Sequence, residues 1–598
     1  MVTPQTDTLE ERVRKFKRTG AEILVDVLNE LEVEYLFGHT GGAVIPIHVE
    51  LNKRLARGEK TPRFILFRQE GGAGHAAEGY AAASGRVGVA LATSGPGATN
   101  LVTPIADANM DSTPVVFITG QVSKNLIGTD AFQEVDMTGI TLPITKHNYL
   151  VTEAHDLGWV LRQAFDIAST GRPGPVVVDI CKNALVDKSD NGHASTPLSH
   201  YNPNAAMNIS DAHSLLEDML SHKRPVILAG GGIINSNSGK ELYEFAKKYS
   251  IPVTLTFKGL GAIPSDDKLF LGMPGMHGTA AANYTLRDAD FIFVIGARLD
   301  DRVAVKGFRD GKKIAHVDLD AAELNKVIDD TDYPLQANAK DFLEYAVKYS
   351  PKNAGDTSEW LKKIGEWKEQ WNKDFVEKYS GSESTIKPQY AIQQISKLAG
   401  DAIVTTGVGQ HQMWVAQYYN FKYPRQFISS GGLGTMGFGL PAAIGAYFAN
   451  PSKQVVCIDG DGSFQMNIQE LATIAQYNIP IKAFIINNGF LGMVRQWEDR
   501  DNGSYHNETC LSRMPDCSPA CTYDGQECSN VNPDFAGLSH VYHNINTLRI
   551  TKKEEVGPGI LKALSSPGPY IVDIWVDKKE NVFPMIPPGG TLKDLLLK

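Results

Sequence analysis

Short apolar runs recur along this chain, and stretches of helical periodicity separate them. Residues 64–67, 115–118, 225–229, 291–295, 455–458 and 483–486 are continuously apolar rather than alternating, and 176–180 is apolar but for Asp179. Such runs suit strands buried on both faces, the mark of parallel sheets covered by helices. The pattern predicts an α/β protein of three domains, each with a mainly parallel sheet flanked by helices. The first domain, 19–188, follows an extension at 1–18. It is expected to hold a helix at 21–31, strands at 35–37 and 64–67, a helix at 72–83, and strands at 87–92, 115–119 and 176–180. A polar linker with Pro197 and Pro203, at 189–208, leads to a middle domain at 209–350. A second linker with a Trp- and Lys-rich amphipathic helix, 351–387, precedes the third domain at 388–598. That domain includes a strand at 403–405, a helix at 440–448, a cysteine-containing loop at 498–531 and a C-terminal tail. The first and third domains share length and rhythm without a convincing sequence repeat.

Length and charge narrow the function classes. At 598 residues the chain has room for about three or four domains, and it carries a formal net charge of −10 with a pI near 5.9. The one short basic cluster, 12–18, directly follows Glu10 and Glu11, so no face for a nucleic-acid backbone is expected. No apolar run approaches a membrane span, and the first twenty residues lack the apolar core of a secretory signal. The expected location is the cytoplasm, although the mature form of an organellar protein would look the same. Six cysteines are too few for a disulfide scaffold. Cys181 and Cys457 are expected at strand ends as buried thiols. Cys510, Cys517, Cys521 and Cys528 crowd one polar segment, with spacings unlike a zinc ribbon or finger. A surface loop is the favoured reading there, with disulfide pairing and metal binding as alternatives.

Candidate chemistry begins where the 455–458 run meets Gly460-Asp461-Gly462-Ser463-Phe464. Glycines after a buried strand let backbone N–H groups approach phosphate oxygens where a helix begins. The 483–486 strand ends at Asn487-Asn488. The Asn488 side-chain carbonyl and the Phe490 main-chain carbonyl can then join Asp461 around one Mg²⁺, with diphosphate oxygens and water completing the shell. An isolated Gly-Asp-Gly is more often a turn, but the whole spacing resembles the thiamine diphosphate (ThDP) signature. Glu70 follows the 64–67 strand, where α/β proteins bind ligands. Alone it reads as a helix-start glutamate. Beside a ThDP signature it reads as the carboxylate for the cofactor's pyrimidine nitrogen.

Glu70-Gly-Gly-Ala-Gly-His75, Thr93-Ser-Gly-Pro-Gly-Ala-Thr-Asn100, Gly128-Thr-Asp-Ala-Phe-Gln-Glu134, Gly171-Arg-Pro-Gly-Pro175, Gly407-Val-Gly-Gln-His-Gln-Met-Trp414 and Gly431-Gly-Leu-Gly-Thr-Met-Gly437 resemble the acetohydroxyacid synthase (acetolactate synthase) catalytic-subunit family. The resemblance is collinear from about 19 to 587 and falters only around 500–531. It implies that the first domain binds the pyrimidine, the middle domain FAD and the third the diphosphate, with active sites between subunits of a homodimer or homotetramer. It makes Glu70 the cofactor-activating acid, Gly42 a main-chain donor near the reacting carbonyl, and Phe132 and Gln133 residues over the substrate. The Gln133 amide would face developing oxyanion charge. Val408, Gly409, Gln410, His411, Gln412, Met413, Gly434, Gly462 and Ser463 would hold the cofactor, and Met436 would prop its bent shape. Arg172, Gly230, Gly231, Gly232, Thr256, Met276, His277, Gly296, Ala297, Arg298, Asp300, Asp318 and Leu319 would contact FAD. Arg302 would hold the second keto acid's carboxylate, with a structural ion pair to Asp301 as the alternative. Met493 and Trp497 would meet the acceptor's alkyl group, where the bland alternative is the apolar stripe of a helix. The chain departs from the family at His39-Thr40, where Tyr-Pro is usual, and at Asn338, where Asp is more frequent.

The activity so implied is decarboxylation of pyruvate and transfer of the two-carbon unit to pyruvate or 2-oxobutanoate. The products are 2-acetolactate or 2-aceto-2-hydroxybutanoate, precursors of branched-chain amino acids. FAD makes no redox contribution to that net reaction, and a small regulatory subunit is a possible partner. The rival readings are a flavin-containing ThDP pyruvate oxidase or decarboxylase, and a catalytically silent cofactor-binding protein.

Overall fold

The computed structural model describes residues 17–189, 203, 206–380, 385–504, 506, 508–514, 517 and 532–598. The chain forms two compact units, Met1–Asn202 and Pro203–Lys598. The first unit carries β1 (Tyr35–Gly38), β2 (Arg63–Leu66), β3 (Gly88–Ala92), β4 (Val115–Gln121), β5 (His147–Val151) and β6 (Pro175–Cys181), in the spatial order β2-β1-β3-β4-β6-β5. Every neighbouring pair in that sheet is parallel. A short antiparallel pair, Arg18–Thr19 with Lys188–Ser189, ties the two ends of the segment together. Thr19 and Glu22 then cap the helix Gly20–Glu30 reciprocally, which satisfies donors the first turn would otherwise leave unpaired.

The second unit carries two sheets. Its five-stranded sheet is β7 (Pro225–Ala229), β8 (Val253–Leu255), β9 (Phe291–Ile295), β10 (Lys313–Asp318) and β11 (Tyr333–Gln336), ordered β8-β7-β9-β10-β11. The six-stranded sheet is β12 (Ile403–Thr406), β13 (Phe427–Ser429), β14 (Val455–Gly460), β15 (Lys482–Asn487), β16 (Asn546–Ile550) and β17 (Tyr570–Trp575), ordered β13-β12-β14-β15-β17-β16. Both are parallel throughout. One continuous apolar core, from Leu215 and Phe293 to Val456 and Val572, serves both sheets. The first and third sheets therefore have the same strand order although their sequences do not repeat. In all three sheets the first strand lies between the second and the third. The loops leaving the first and third strands consequently run to opposite sides and open a crevice at their C-terminal ends.

The apolar runs are strands, but the ladders continue past them. β4 runs on through Gly120 and Gln121, β14 through Asp459 and Gly460, and β15 through Asn487, all buried. Hydropathy stops short there because the sites sit at the strands' C-terminal ends, where polar groups replace apolar ones. For the same reason Cys457 lies within β14 and not at its end. Both Cys457 and Cys181 are fully buried, and burial pushes their thiols well up, Cys181 to about 12. β5 and β11 escape the periodicity because they are half-exposed edge strands, and β11 carries Pro334, which an edge tolerates. The expected amphipathic helix is Ser358–Trp371. Its Trp360 and Ile364 are buried against the middle sheet, and Trp360 Nε1 donates to the Pro225 carbonyl at 3.1 Å.

Within β6 the Asp179 carboxyl is buried between the side chains of Thr119 (2.7 Å) and Gln121 (2.9 Å). Burial raises its pKa from 3.8 to about 7, against the lowering effect of those two donors. A carboxyl raised in the folded state contributes stability below its unfolded pKa and loses it as pH rises through the folded value. Asp179→Asn should therefore be nearly neutral at pH 4 and more stable than the parent at pH 8, by up to a few kcal/mol. Denaturation midpoints at the two pH values test this. An equal difference at both would show that the carboxyl is not held protonated.

Candidate active site

In the first unit, four loops at the C-terminal ends of β1 to β4 carry the expected residues. Glu70 is the first residue of the helix Glu70–Ser84, is buried, and accepts a hydrogen bond from Asn100 Nδ2 at 2.9 Å. Asn100 closes the turn of Thr93–Asn100 after β3. Gly95 in that turn has φ of +63°, and a Cβ on it would sit 2.8 Å from Gln133 Cβ. Gln133 itself holds φ of +64°, inside a loop closed by Glu134, which accepts from the Gly128 and Ala131 amides. Phe132 is 89% exposed. The Gly42 Cα faces open space, with nothing within 4 Å of a Cβ built there. The neighbouring His39, in place of tyrosine, bonds through Nδ1 to the Phe67 carbonyl at 2.8 Å, and so ties the loop to the strand end that presents Glu70.

In the second unit, β12 delivers Gly407-Val408-Gly409 to the helix Gln410–Tyr418, whose first-turn N–H groups suit an anion. Gly409 has φ of +149°, which favours glycine. Ser463 Oγ accepts from the amides of Val408 (3.3 Å) and Gly437 (3.0 Å), joining two glycine-rich loops. The second of these holds Met436 and is further pinned by Ser430 Oγ, which accepts from Gly434 and Thr435. A Cβ on Gly460 would lie 2.8 Å from His411 Nδ1, so the histidine packs directly on the backbone before Asp461, and its Nε2 lies 3.3 Å from Asp459 Oδ1.

Asp461 is 2% exposed. Its Oδ2 accepts from the Gly489 amide (3.1 Å) and Asn532 Nδ2 (2.8 Å), and among the described residues no cationic side chain pairs with it. Burial pushes its pKa up to about 6. Asn488 donates through Nδ2 to Gln410 Oε1 at 3.2 Å, and its Oδ1 accepts from the Phe490 amide at 3.0 Å. A buried carboxylate without a cation, beside oriented amide and carbonyl oxygens, fits an oxygen-loving divalent ion, which would offset the burial penalty.

At the middle sheet's crevice a Cβ on Gly230 would lie 2.5 Å from the Gly296 carbonyl oxygen, and one on Gly232 would lie 2.6 Å from Gly296 Cα. The loops after β7 and β9 thus touch through bare backbone, and Gly232 N donates to Gly296 O at 2.8 Å. Met276 N donates to Arg302 O (2.8 Å), and Arg302 Nη1 reaches Met276 Sδ (2.9 Å). His277 is buried, its pKa is pushed down to about 4 by burial and then by Arg302, and its Nε2 has no protein partner among the described residues. A backbone cradle with an orphaned imidazole nitrogen fits a dinucleotide. Asp300 spends its Oδ1 on the amides of Arg302 and Val303, and Asp318 on that of Asp320. Ala297 and Arg298 lie in the loop after β9, whereas Thr256 follows β8 and Leu319 follows β10. Arg172 belongs to the first unit, where its Nε donates to Ser112 Oγ. Asn338 is the N-cap of the helix Ala339–Lys348, a task Asn and Asp perform equally well.

Arg302 is 62% exposed and lies 3.6 Å from Asp301, a pairing too solvated to hold the side chain firmly. Trp497 and Met493 lie half-buried on the helix Gly492–Asp501, with the Arg500 guanidinium 5.5 Å from the indole centre. The same helix carries Gln496, which accepts from Gln410 Nε2 (3.0 Å) and the Val582 amide (2.7 Å). The described part of the cysteine-containing segment reaches the main chain at 489–491. Leu491 N donates to Thr509 O (2.8 Å), Leu511 N donates to Gly489 O (2.9 Å), and Asn532 at the far end binds Asp461. Cys510 and Cys517 are free thiols, and Cys521 and Cys528 lie outside the described residues.

Family profiles agree with this geometry. The profile described as "Thiamine pyrophosphate enzyme, N-terminal TPP binding domain" matches residues 18–140, the "central domain" profile 212–345, and the "C-terminal TPP binding domain" profile 407–574. The chain is 46% identical to "Acetolactate synthase 1, chloroplastic" of Zea mays, over 97% of this chain and 89% of the relative. It is 42% identical to the "Acetolactate synthase large subunit" of Corynebacterium glutamicum (97% and 90%) and 41% identical to that of Haemophilus influenzae (97% and 98%). The chain belongs to the acetolactate synthase family.

An acetolactate synthase of this family uses ThDP, and the glycine-rich loops after β12, β13 and β14 fall within the stretch matched by the C-terminal TPP binding domain. Sequence reading gave no role to Asn100, Asn532 or Gln496, because each acts through a partner far along the chain. Ser463→Ala would leave the Val408 and Gly437 amides without their shared acceptor. At about 0.5–1.5 kcal/mol per bond, the unfolding midpoint should fall, and ThDP affinity should fall with it as the two loops lose their shared anchor. Fluorescence titration with ThDP tests this, and unchanged affinity would show that the serine does not organise the loops.

Proposed function

We propose that this chain is the catalytic subunit of an acetolactate synthase. It decarboxylates pyruvate and joins the two-carbon unit to a second pyruvate or to 2-oxobutanoate, forming 2-acetolactate or 2-aceto-2-hydroxybutanoate for branched-chain amino acid synthesis. The observation that carries this reading is similarity to acetolactate synthases over 97% of the chain. The pyrimidine side belongs to 19–188, the flavin side to 209–350 and the diphosphate side to 388–598. Asp461, Asn488 and the Phe490 carbonyl hold Mg²⁺, and the Gly230–Gly232 and Gly296 cradle with His277 holds FAD. The 89% exposure of Phe132 beside the site supports a subunit boundary there, in a homodimer or homotetramer. The name "large subunit" of the two bacterial relatives supports a small regulatory partner. No described helix is long and apolar enough to cross a membrane, and the cytoplasm or an organelle interior is the proposed location.

Bound ThDP supplies the nucleophilic carbon and the sink for the electron pair that CO₂ leaves behind. Glu70 shares a proton with the pyrimidine nitrogen and so sets the basicity of the cofactor's amine. The Gln133 amide and the Gly42 main chain donate toward oxygen charge in the transition state. Arg302 binds the acceptor's carboxylate. Trp497 packs on its alkyl group.

With pyruvate alone, one CO₂ should appear per acetolactate. Oxygen uptake would indicate an oxidase, free acetaldehyde a decarboxylase, and no CO₂ a silent protein. Glu70→Gln should lower turnover at least a hundred-fold at saturating ThDP while the cofactor stays bound. Near-parental turnover would sink the assignment of Glu70.

Trp497→Leu should shift competition between the acceptors away from 2-oxobutanoate, by a factor corresponding to roughly 1–3 kcal/mol, the worth of one methylene in an apolar pocket. An unchanged product ratio would make the indole a packing residue.

A further inference from the structure

We infer that Asn100 is the positioning residue for Glu70, holding one carboxylate oxygen so that the other is presented to the cofactor. The inference rests on the reading of Glu70 given above and goes beyond it. Asn100 Nδ2 donates to Glu70 Oε2 at 2.9 Å, and among the described residues no other side chain donates to this carboxylate. Asn100 is itself fixed from the backbone outward. It ends the short helix Pro96–Thr99, with its N–H on the Pro96 carbonyl at 3.0 Å. Its own carbonyl oxygen lies 3.2 Å from where a Cβ on Gly71 would be, so it packs directly on the start of the helix that carries Glu70. On the opposite side of the carboxylate, Glu70 Oε1 lies 3.3 Å from the position of a Cβ on Gly97. The two oxygens are therefore not equivalent: Oε2 is held by an amide donor, and Oε1 faces a glycine that has no side chain.

An N–H donor to a carboxylate favours its ionised form, and it occupies the lone pair on which a proton would otherwise rest. A proton shared with the pyrimidine nitrogen is then confined to Oε1. Rotation of the carboxyl about its Cγ–Cδ bond, which would spoil that alignment, breaks the bond to Asn100. Asparagine suits this task because it donates without titrating. Aspartate at the same place would put two carboxylates within hydrogen-bond distance, and these would share a proton.

The test uses the intact enzyme loaded with ThDP and Mg²⁺ and reads deuterium exchange at the thiazolium C2 position by NMR, which needs no keto acid. It also measures the ThDP dissociation constant by fluorescence titration. Asn100→Ala should slow exchange about ten- to hundred-fold, the range expected for one hydrogen bond to a charged group, with ThDP affinity within about three-fold of the parent. Asn100→Asp should move the acid limb of the exchange-versus-pH profile upward by a unit or more, and Asn100→Ser, which keeps a donor, should recover part of the rate. Parental exchange and an unmoved pH profile in Asn100→Ala and Asn100→Asp, beside slowed exchange in Glu70→Gln, would overturn the role of Asn100 alone. Parental exchange in Glu70→Gln would instead overturn the reading of Glu70 and this inference with it. Equal losses of ThDP affinity and exchange rate would make Asn100 a structural residue and also overturn the proposal.

Discussion

A glycine without a side chain has to meet a neighbouring loop at the crevice of each sheet, and much of the rest follows from that contact. A Cβ on Gly230 would come within 2.5 Å of the Gly296 carbonyl oxygen, one on Gly439 within 2.5 Å of the Gly407 amide, and one on Gly41 within 2.4 Å of the Thr93 side chain. At Gly230 and at Gly41 the loops leaving the first and third strands are drawn together where the strand order reverses, and at Gly439 the helix after the second strand is drawn onto the loop leaving the first. Only glycine allows that approach without displacing main chain. The same closeness leaves N–H groups and carbonyls pointing into the crevice, where a diphosphate or a dinucleotide can use them.

Burial at these strand ends has an electrostatic consequence. Asp461 and Asp179 are both buried carboxyls at parallel strands, and both are raised by desolvation. Their surroundings separate them. Asp179 meets the Thr119 and Gln121 side chains within one sheet, and protonation resolves its burial. Asp461 meets two N–H donors, and a cation bound there would offset its burial. The same physics thus raises both carboxyls, and what stands around each one differs.

Much of this was legible in the residues. Continuous apolar runs marked the buried strands, and the polar residues that end them marked the sites, as at Glu70 and Asp461. The short and edge strands were not legible, because β5 and β11 face solvent on one side and β8 and β13 have three residues each. Nor were the supporting amides. Asn532 binds Asp461 across a separation of 71 residues, and Gln496 binds Gln410 across 86. The cysteine-containing segment looked peripheral because its composition is polar and irregular. Its contact with Gly489–Leu491 is made by main chain, which composition does not record.

That contact gives the segment two fixed feet. Residues 509–511 are pinned to 489–491 on one side, and Asn532 is pinned to Asp461 on the other. The entropy of closing a loop grows only with the logarithm of its length, about 0.6 kcal/mol per doubling. The chain between the feet can therefore lengthen or shorten over evolutionary time without disturbing what stands beneath it. The first foot is held by two main-chain hydrogen bonds and the second by the Asn532 side chain, and an insertion between them replaces neither. The two anchored ends make this stretch of sequence a port, where length can change without displacing the main chain at 489–491.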